Sequence, residues 1–155
     1  MQITEQRFFQ ILWASLAIKL LFAWWIPVTG DEAYFIVWGN NPDYGYYDHT
    51  PMVGWWLAAL LQVSDAIFWL RLPSVLISTF IGWAIFTLCR HQSLSAAAFA
   101  GSLFLLAPLN LIGVLITTDT PLLLFSFLSA WSFYKAQQHD RLGWYLASGL
   151  LLGLA

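Results

Sequence analysis

The chain has 155 residues, 60% of them hydrophobic and only 9% charged, with a formal net charge of −2. A soluble domain carries about a quarter charged residues, so this composition excludes an ordinary soluble domain and points to a membrane. No basic stripe argues for nucleic acid as a partner, and the single cysteine, Cys89, excludes an intramolecular disulfide and a thiolate metal site.

The first element is an apolar stretch from Phe8 to Val28, with Lys19 as its one charge. A membrane span needs roughly 20 mostly apolar residues, and this stretch provides them. It is too long and too aromatic for a signal-peptide core, and no small-residue cleavage site follows, so it reads as a retained span. Lys19 lies mid-span. It must face a protein interior or pair with a residue outside the sequence.

Residues 29–71 read as a large loop. Thr29-Gly30-Asp31-Glu32 fits a capping box, with Thr29 at the N-cap and Glu32 three residues on. The short helix it opens should run to about Trp38, where Gly39-Asn40-Asn41-Pro42-Asp43 breaks it. Tyr44, Tyr46 and Tyr47 suit the headgroup zone. Thr50-Pro51 could start a second helix, with Pro at its first position. Met52 to Leu70 is long enough to span, but Gln62, Ser64 and Asp65 interrupt it.

Further spans are predicted over Leu72–Cys89, Ala96–Ile116 and Pro121–Ala136, and an incomplete one over Leu142–Ala155. At about 1.5 Å rise per residue, the last is too short to cross. The chain therefore reads as the N-terminal part of a longer protein. It has no internal repeat and no low-complexity tract.

Charge asymmetry arbitrates the ambiguous segment. If Met52–Leu70 lies on the surface, Arg7, Arg90, Lys135 and Arg141 share one side. Asp31, Glu32, Asp43, Asp48, Asp65 and Asp119 share the other. A spanning segment would move Arg90, Lys135 and Arg141 outside. The first arrangement obeys the positive-inside rule far better. It makes the N-terminus cytoplasmic and 29–71 an outer loop with interfacial helices.

Three acidic sites could carry chemistry. Asp31 and Glu32 open a helix, where carboxylates compensate the dipole and cap. The alternative is a general base or metal ligand at the membrane–water boundary. Neighbours on a helix point about 100° apart, so one can face a cavity while the other caps. Asp48-His49 lies on the same face among Tyr46, Tyr47 and Thr50. A partly cationic His49 could hold a lipid phosphate, or simply be solvated. Asp119 lies in a very short turn before Thr120-Pro121, where it is either a wet residue beside a cap or a functional acid at the membrane edge. Arg71, at the outer start of the second predicted span, reads as an anchor that could pair with Asp65 or a lipid phosphate. His91 and His139 lie in predicted cytoplasmic turns and read as solvated.

Four segments in order resemble glycosyltransferase family 39: Gly30-Asp31-Glu32-Ala33-Tyr34, Gly45-Tyr46-Tyr47-Asp48-His49-Thr50-Pro51-Met52-Val53, Arg71-Leu72-Pro73-Ser74 and Thr118-Asp119-Thr120-Pro121-Leu122. The likeness is closest to bacterial members related to protein O-mannosyltransferases and to the aminoarabinose transferases of lipid A. Two positions depart from the usual pattern, with Thr50 and Thr118 standing where Pro is frequent.

The resemblance implies an all-α integral membrane protein of GT-C type, a multi-pass helical bundle with interfacial helices in its first outer loop. It implies a multi-pass location in a cell membrane, in bacteria the inner one. It implies an enzyme, a hexosyl- or pentosyltransferase, that moves a sugar from a polyprenyl-phosphate donor to an acceptor at the outer face. Asp31 maps onto the catalytic acid and Asp119 onto a second one. The Asp48-His49 position maps near the donor phosphate, and Glu32, Tyr47 and Arg71 join it as substrate-binding candidates. A carboxylate against apolar surroundings gains proton affinity, which would suit a base acting on an acceptor hydroxyl. The sequence is compatible with a divalent metal and does not require one. The sugar and the acceptor stay open. The competing readings are a non-catalytic multi-pass scaffold and a lipid-phosphate-binding or flipping subunit.

Overall fold

The computed structural model describes residues 4–47 and 49–155. Among them the secondary structure is helical throughout: α1 (Glu5–Trp25), α2 (Gly30–Asn40), α3 (Met52–Leu61), α4 (Ile67–Cys89), α5 (Leu94–Leu106), α6 (Pro108–Ile112), α7 (Asp119–His139) and α8 (Leu142–Gly153). The helical expectation is met.

Helices α1 and α4 are long and apolar enough to cross a membrane. Their 21 and 23 residues correspond to roughly 31 and 34 Å at the helical rise. Both leave large apolar side chains on the surface, among them Trp13, Leu21 and Trp24 on α1 and Leu76, Phe80 and Trp83 on α4. A lipid-facing surface has this composition, because hydrocarbon solvates such groups as well as a core does.

Helix α1 stops at Trp25 because Pro27 follows. The residue before a proline is driven out of the α region, and Ile26 is extended, with φ −68° and ψ 127°. The same rule divides the predicted span 96–116. Ala107, before Pro108, has ψ 131°, so α5 ends at Leu106 and a five-residue helix follows. That stretch is thus two helices and an irregular connection rather than one rod. The helix carrying Arg71 starts at Ile67, five residues before the predicted Leu72, with Pro73 inside it. Helix α3 is 10 residues, or roughly 15 Å, half of a hydrocarbon core of about 30 Å.

Three packing units hold the elements together. Helices α1, α4 and α5 meet around Phe8, Leu12, Phe86, Ala97, Ala98 and Leu105. Phe8 and Phe86 stack with centroids 4.2 Å apart. Glycines allow the approach: a Cβ on Gly101 would lie 2.7 Å from the Phe8 ring and 3.0 Å from the Gly82 carbonyl. Small residues are how helices gain close contact where lipid removes the hydrophobic drive.

Helices α2 and α3 form a hairpin on Phe35, Trp38, Val53 and Leu57, closed below by Leu70 of α4 and by Ile116. Helices α7 and α8 form a second hairpin. There the Ser129 hydroxyl donates to the Ser148 carbonyl at 2.8 Å, and the Ser148 hydroxyl donates to the Ser129 carbonyl at 3.1 Å. The turn between them passes through Asp140, left-handed at φ 45°, a conformation that Asp tolerates better than most residues.

Lys19 faces the protein interior. It is fully buried, and its Nζ donates to the Ser78 hydroxyl of α4 at 2.9 Å.

Candidate active site

The capping box forms as the sequence predicts. The Glu32 amide donates to Thr29 Oγ1 at 3.3 Å, and the Thr29 amide donates to Glu32 Oε2 at 3.0 Å. Glu32 is therefore the carboxylate that caps. Asp31, one residue away, is exposed and has no side-chain hydrogen bond among the described residues. The apolar enclosure expected around Asp31 is not built by those residues.

Glu32 does more than cap. Its side chain is fully buried and meets Arg71, also fully buried, in a two-pronged ion pair. Arg71 Nε donates to Oε1 at 2.7 Å and Nη2 donates to Oε2 at 2.6 Å. A guanidinium has five N–H donors. The other three go to main-chain carbonyls at the end of α1: Nη1 to Ala23 at 2.9 Å and Ile26 at 2.7 Å, and Nη2 to Pro27 at 3.0 Å. Arg71 thus fills its donor capacity inside the protein. Its acidic partner is Glu32, whereas Asp65 lies exposed in the turn between α3 and α4.

Glu32 Oε1 also accepts the Ile116 amide at 3.0 Å. Burial alone would raise the affinity of the carboxyl for a proton. The Arg71 guanidinium, with the Ile116 and Thr29 amides, outweighs burial and holds the group below the ordinary carboxylate range.

Three residues beyond Ile116, Asp119 begins α7 with Thr118 at the N-cap. The helix therefore starts two residues before the Pro121 that the sequence suggested. A second tie fixes this connection. The Ser74 hydroxyl donates to the Leu115 carbonyl at 3.0 Å and pairs with Thr120 Oγ1 at 2.9 Å. Arg71 and Ser74 are three residues apart, hence on one helix face; Ser74 holds the 113–118 strap directly, and Arg71 reaches it only through Glu32, which accepts the Ile116 amide. The motif Arg71-Leu72-Pro73-Ser74 contained this pairing, but the partners of Ser74 were too distant in sequence to name.

Asp119 is exposed at the rim of a half-open cavity of about 580 Å³ between α4, α5–α6 and α7. Its polar lining includes Ser78, Asn110, Thr117, Thr120 and Ser126, and its apolar side includes Phe104 and Leu122. Asp31 is not among the residues that line it. Of the two carboxylates, the described residues place only Asp119 on this cavity. What they do bring together, through Glu32 and Ile116, is the backbone that carries them.

The loop after α2 is pinned by aromatics. Tyr46 stacks on Trp38 at 4.2 Å with the rings 4° from parallel. Its hydroxyl donates to the Trp38 carbonyl at 3.0 Å. Trp55 Nε1 donates to the Asp43 carbonyl at 2.8 Å. The His49 ring sits 5.9 Å from Phe35 and 5.6 Å from Trp38, so it is held against the helix that Asp31 opens. Tyr47 is almost wholly exposed. Asp48 lies outside the described residues. Among the described residues no three His, Cys, Asp or Glu side chains gather as a metal site.

An all-helical architecture with lipid-facing apolar helices and a polar cluster at one helix end is that of a membrane protein. Residues 48–155 match the family described as dolichyl-phosphate-mannose-protein mannosyltransferase, and the chain belongs to that family. It is also 31% identical, over 129 residues, to a lipid A galacturonosyltransferase, RgtD, of Rhizobium johnstonii. That alignment takes in 81% of this chain and 27% of the relative, so the chain spans about a quarter of the length of the relative it matches. No solved structure matches.

Proposed function

We propose that the intact protein is a membrane glycosyltransferase that moves a sugar from a polyprenyl-phosphate donor to an acceptor hydroxyl at the outer face of the membrane. Asp31 is the general base of this reading. The observation that carries it is the division of labour at the start of α2. Glu32 supplies the cap and the ion pair, which leaves Asp31 exposed and without a structural hydrogen bond among the described residues.

In the proposed step the acceptor oxygen forms a bond to the anomeric carbon as the bond to the donor phosphate oxygen breaks. The hydroxyl proton passes to Asp31. The polyprenyl phosphate leaves as an anion and needs no protonation. Asp119 is the second acidic group of the site, and His49 and Tyr47 lie on the donor side. Family membership supports a lipid-linked donor, and the galacturonosyltransferase relative supports a sugar transferase in which the acceptor differs between members.

The reading includes a cytoplasmic N-terminus, supported by the charge asymmetry of the sequence, and a bacterial inner-membrane location, supported by the Rhizobium johnstonii relative. The short length of α3 favours a surface position over a span.

The test is Asp31→Asn in the intact protein, in membranes, at matched expression. Asn keeps the shape of Asp and caps a helix about as well, but it cannot accept a proton at neutral pH. Loss of a positioned base should slow transfer by about 10² to 10⁴-fold while donor binding stays near normal. Near-normal transfer would refute the assignment.

A further inference from the structure

We propose that Glu32 and Arg71 act as positioning residues: a buried ionic hub that sets the placement of the Asp31 backbone relative to the strap that carries Asp119. This rests on the glycosyltransferase reading for its kinetic consequence, though not for its structural one.

Four segments converge on the pair. The last carbonyls of α1 and Pro27 receive three Arg71 donors. The N-cap of α2 donates to Glu32 through both the amide and the hydroxyl of Thr29. Helix α4 supplies Arg71 itself. The strap before α7 donates the Ile116 amide. Glu32 is adjacent to Asp31, and Ile116 is three residues from Asp119. One carboxylate therefore bridges the two backbones whose side chains the proposed reaction uses.

The arrangement is also stiff. A guanidinium fork and a carboxylate meet in a fixed plane, with each group fully buried. All five Arg71 donors are spent, and Glu32 accepts five hydrogen bonds. Neither group has capacity left for a lipid phosphate or for proton transfer. This separates the adjacent acids by role: Asp31 does the chemistry and Glu32 holds it in place.

The experiment uses the intact protein with Cys89 removed and spin labels at Val37→Cys on α2 and Leu122→Cys on α7, both on exposed sites. The distance distribution is measured by pulsed electron resonance in lipid nanodiscs. The parent should give one narrow distance. The neutral pair Glu32→Gln/Arg71→Met leaves no buried charge unpaired, so it should fold, and the distance should broaden or shift. Thr29→Ala removes the cap and one of the five bonds to Glu32 but keeps the Arg71 fork and the Ile116 bond, and it should leave the distance narrow. An unchanged distance in the neutral pair would overturn the hub. Equal broadening by Thr29→Ala would also overturn it, because the cap would then be sufficient explanation.

The kinetic arm uses the same pair without labels. Misplacement of a reacting group by an ångström can cost about 100-fold, so turnover should fall on that scale while the KM for the lipid donor moves little. The limbs of the pH–rate profile should stay where they are, because the base is another residue. Loss of the acidic limb in the neutral pair would overturn the positioning role and make Glu32 the base. If the parent itself transfers no sugar, the functional reading fails while the distance arm still decides the hub.

Discussion

Arg71→Met is the substitution whose cost is most directly set by the geometry. The change keeps much of the side-chain length and removes five donors. It strands the Glu32 carboxylate, which is fully buried and retains only the Ile116 and Thr29 groups. It also strips the Ala23, Ile26 and Pro27 carbonyls of their Arg71 donors. Breaking a buried ion pair from one side costs about 3–5 kcal/mol, because the remaining charge stays desolvated and unpaired. Adding Glu32→Gln removes that charge. The carbonyls remain short of donors, so recovery should be partial, with roughly 2 kcal/mol regained. The assay is equilibrium unfolding of the intact protein in mixed micelles, with denaturing detergent as the titrant, for the parent, both single variants and the double. The expected result is a double variant more stable than Arg71→Met alone. A double variant whose loss equals the sum of the two single losses would refute the reasoning, since independent sites add and paired ones do not. A cost below about 1 kcal/mol for Arg71→Met would do so as well, because that is the range of exposed pairs.

Two further outcomes follow from the same residues. The Glu32 carboxyl is held below its unfolded value, so its contribution to stability is present above the unfolded carboxylate pKa of about 4.3 and is lost as pH falls through the folded value. Acid titration of unfolding midpoints should therefore show a steeper loss below about pH 4 for the parent than for Glu32→Gln/Arg71→Met, and parallel curves would contradict it. The proposed topology puts Asn40 outside and Gln92 inside. In a protein without Cys89, an impermeant thiol reagent added from the outer side should label Asn40→Cys and spare Gln92→Cys, and equal labelling would make residues 52–70 a true span.

Much of this protein was legible in the residue order. Helical runs of apolar side chains, interrupted by Pro and Gly, are local properties, and so is a capping box: Thr29 and Glu32 find each other because a helix start places them within reach. The motifs around Asp31, Asp48-His49, Arg71 and Asp119 led to the family without any knowledge of contacts. Local rules also set the break at Ala107-Pro108, although a hydropathy count passes over it, because leucines continue on both sides.

The partners were another matter. Nothing local says that Arg71 ends on Glu32, 39 residues away, rather than on Asp65, six away. That choice follows from the packing of α1, α2 and α4, which buries one carboxylate and leaves the other in water. Burying a charge is costly unless it is paired or hydrogen-bonded, whereas an exposed one bears no such cost. The same packing decides that Lys19 meets Ser78, that Ile116 offers its amide to Glu32, and that of two adjacent acids one is structural and the other exposed. Spacing along a chain fixes which face a side chain occupies, but only tertiary packing decides what that face meets and how much water remains there.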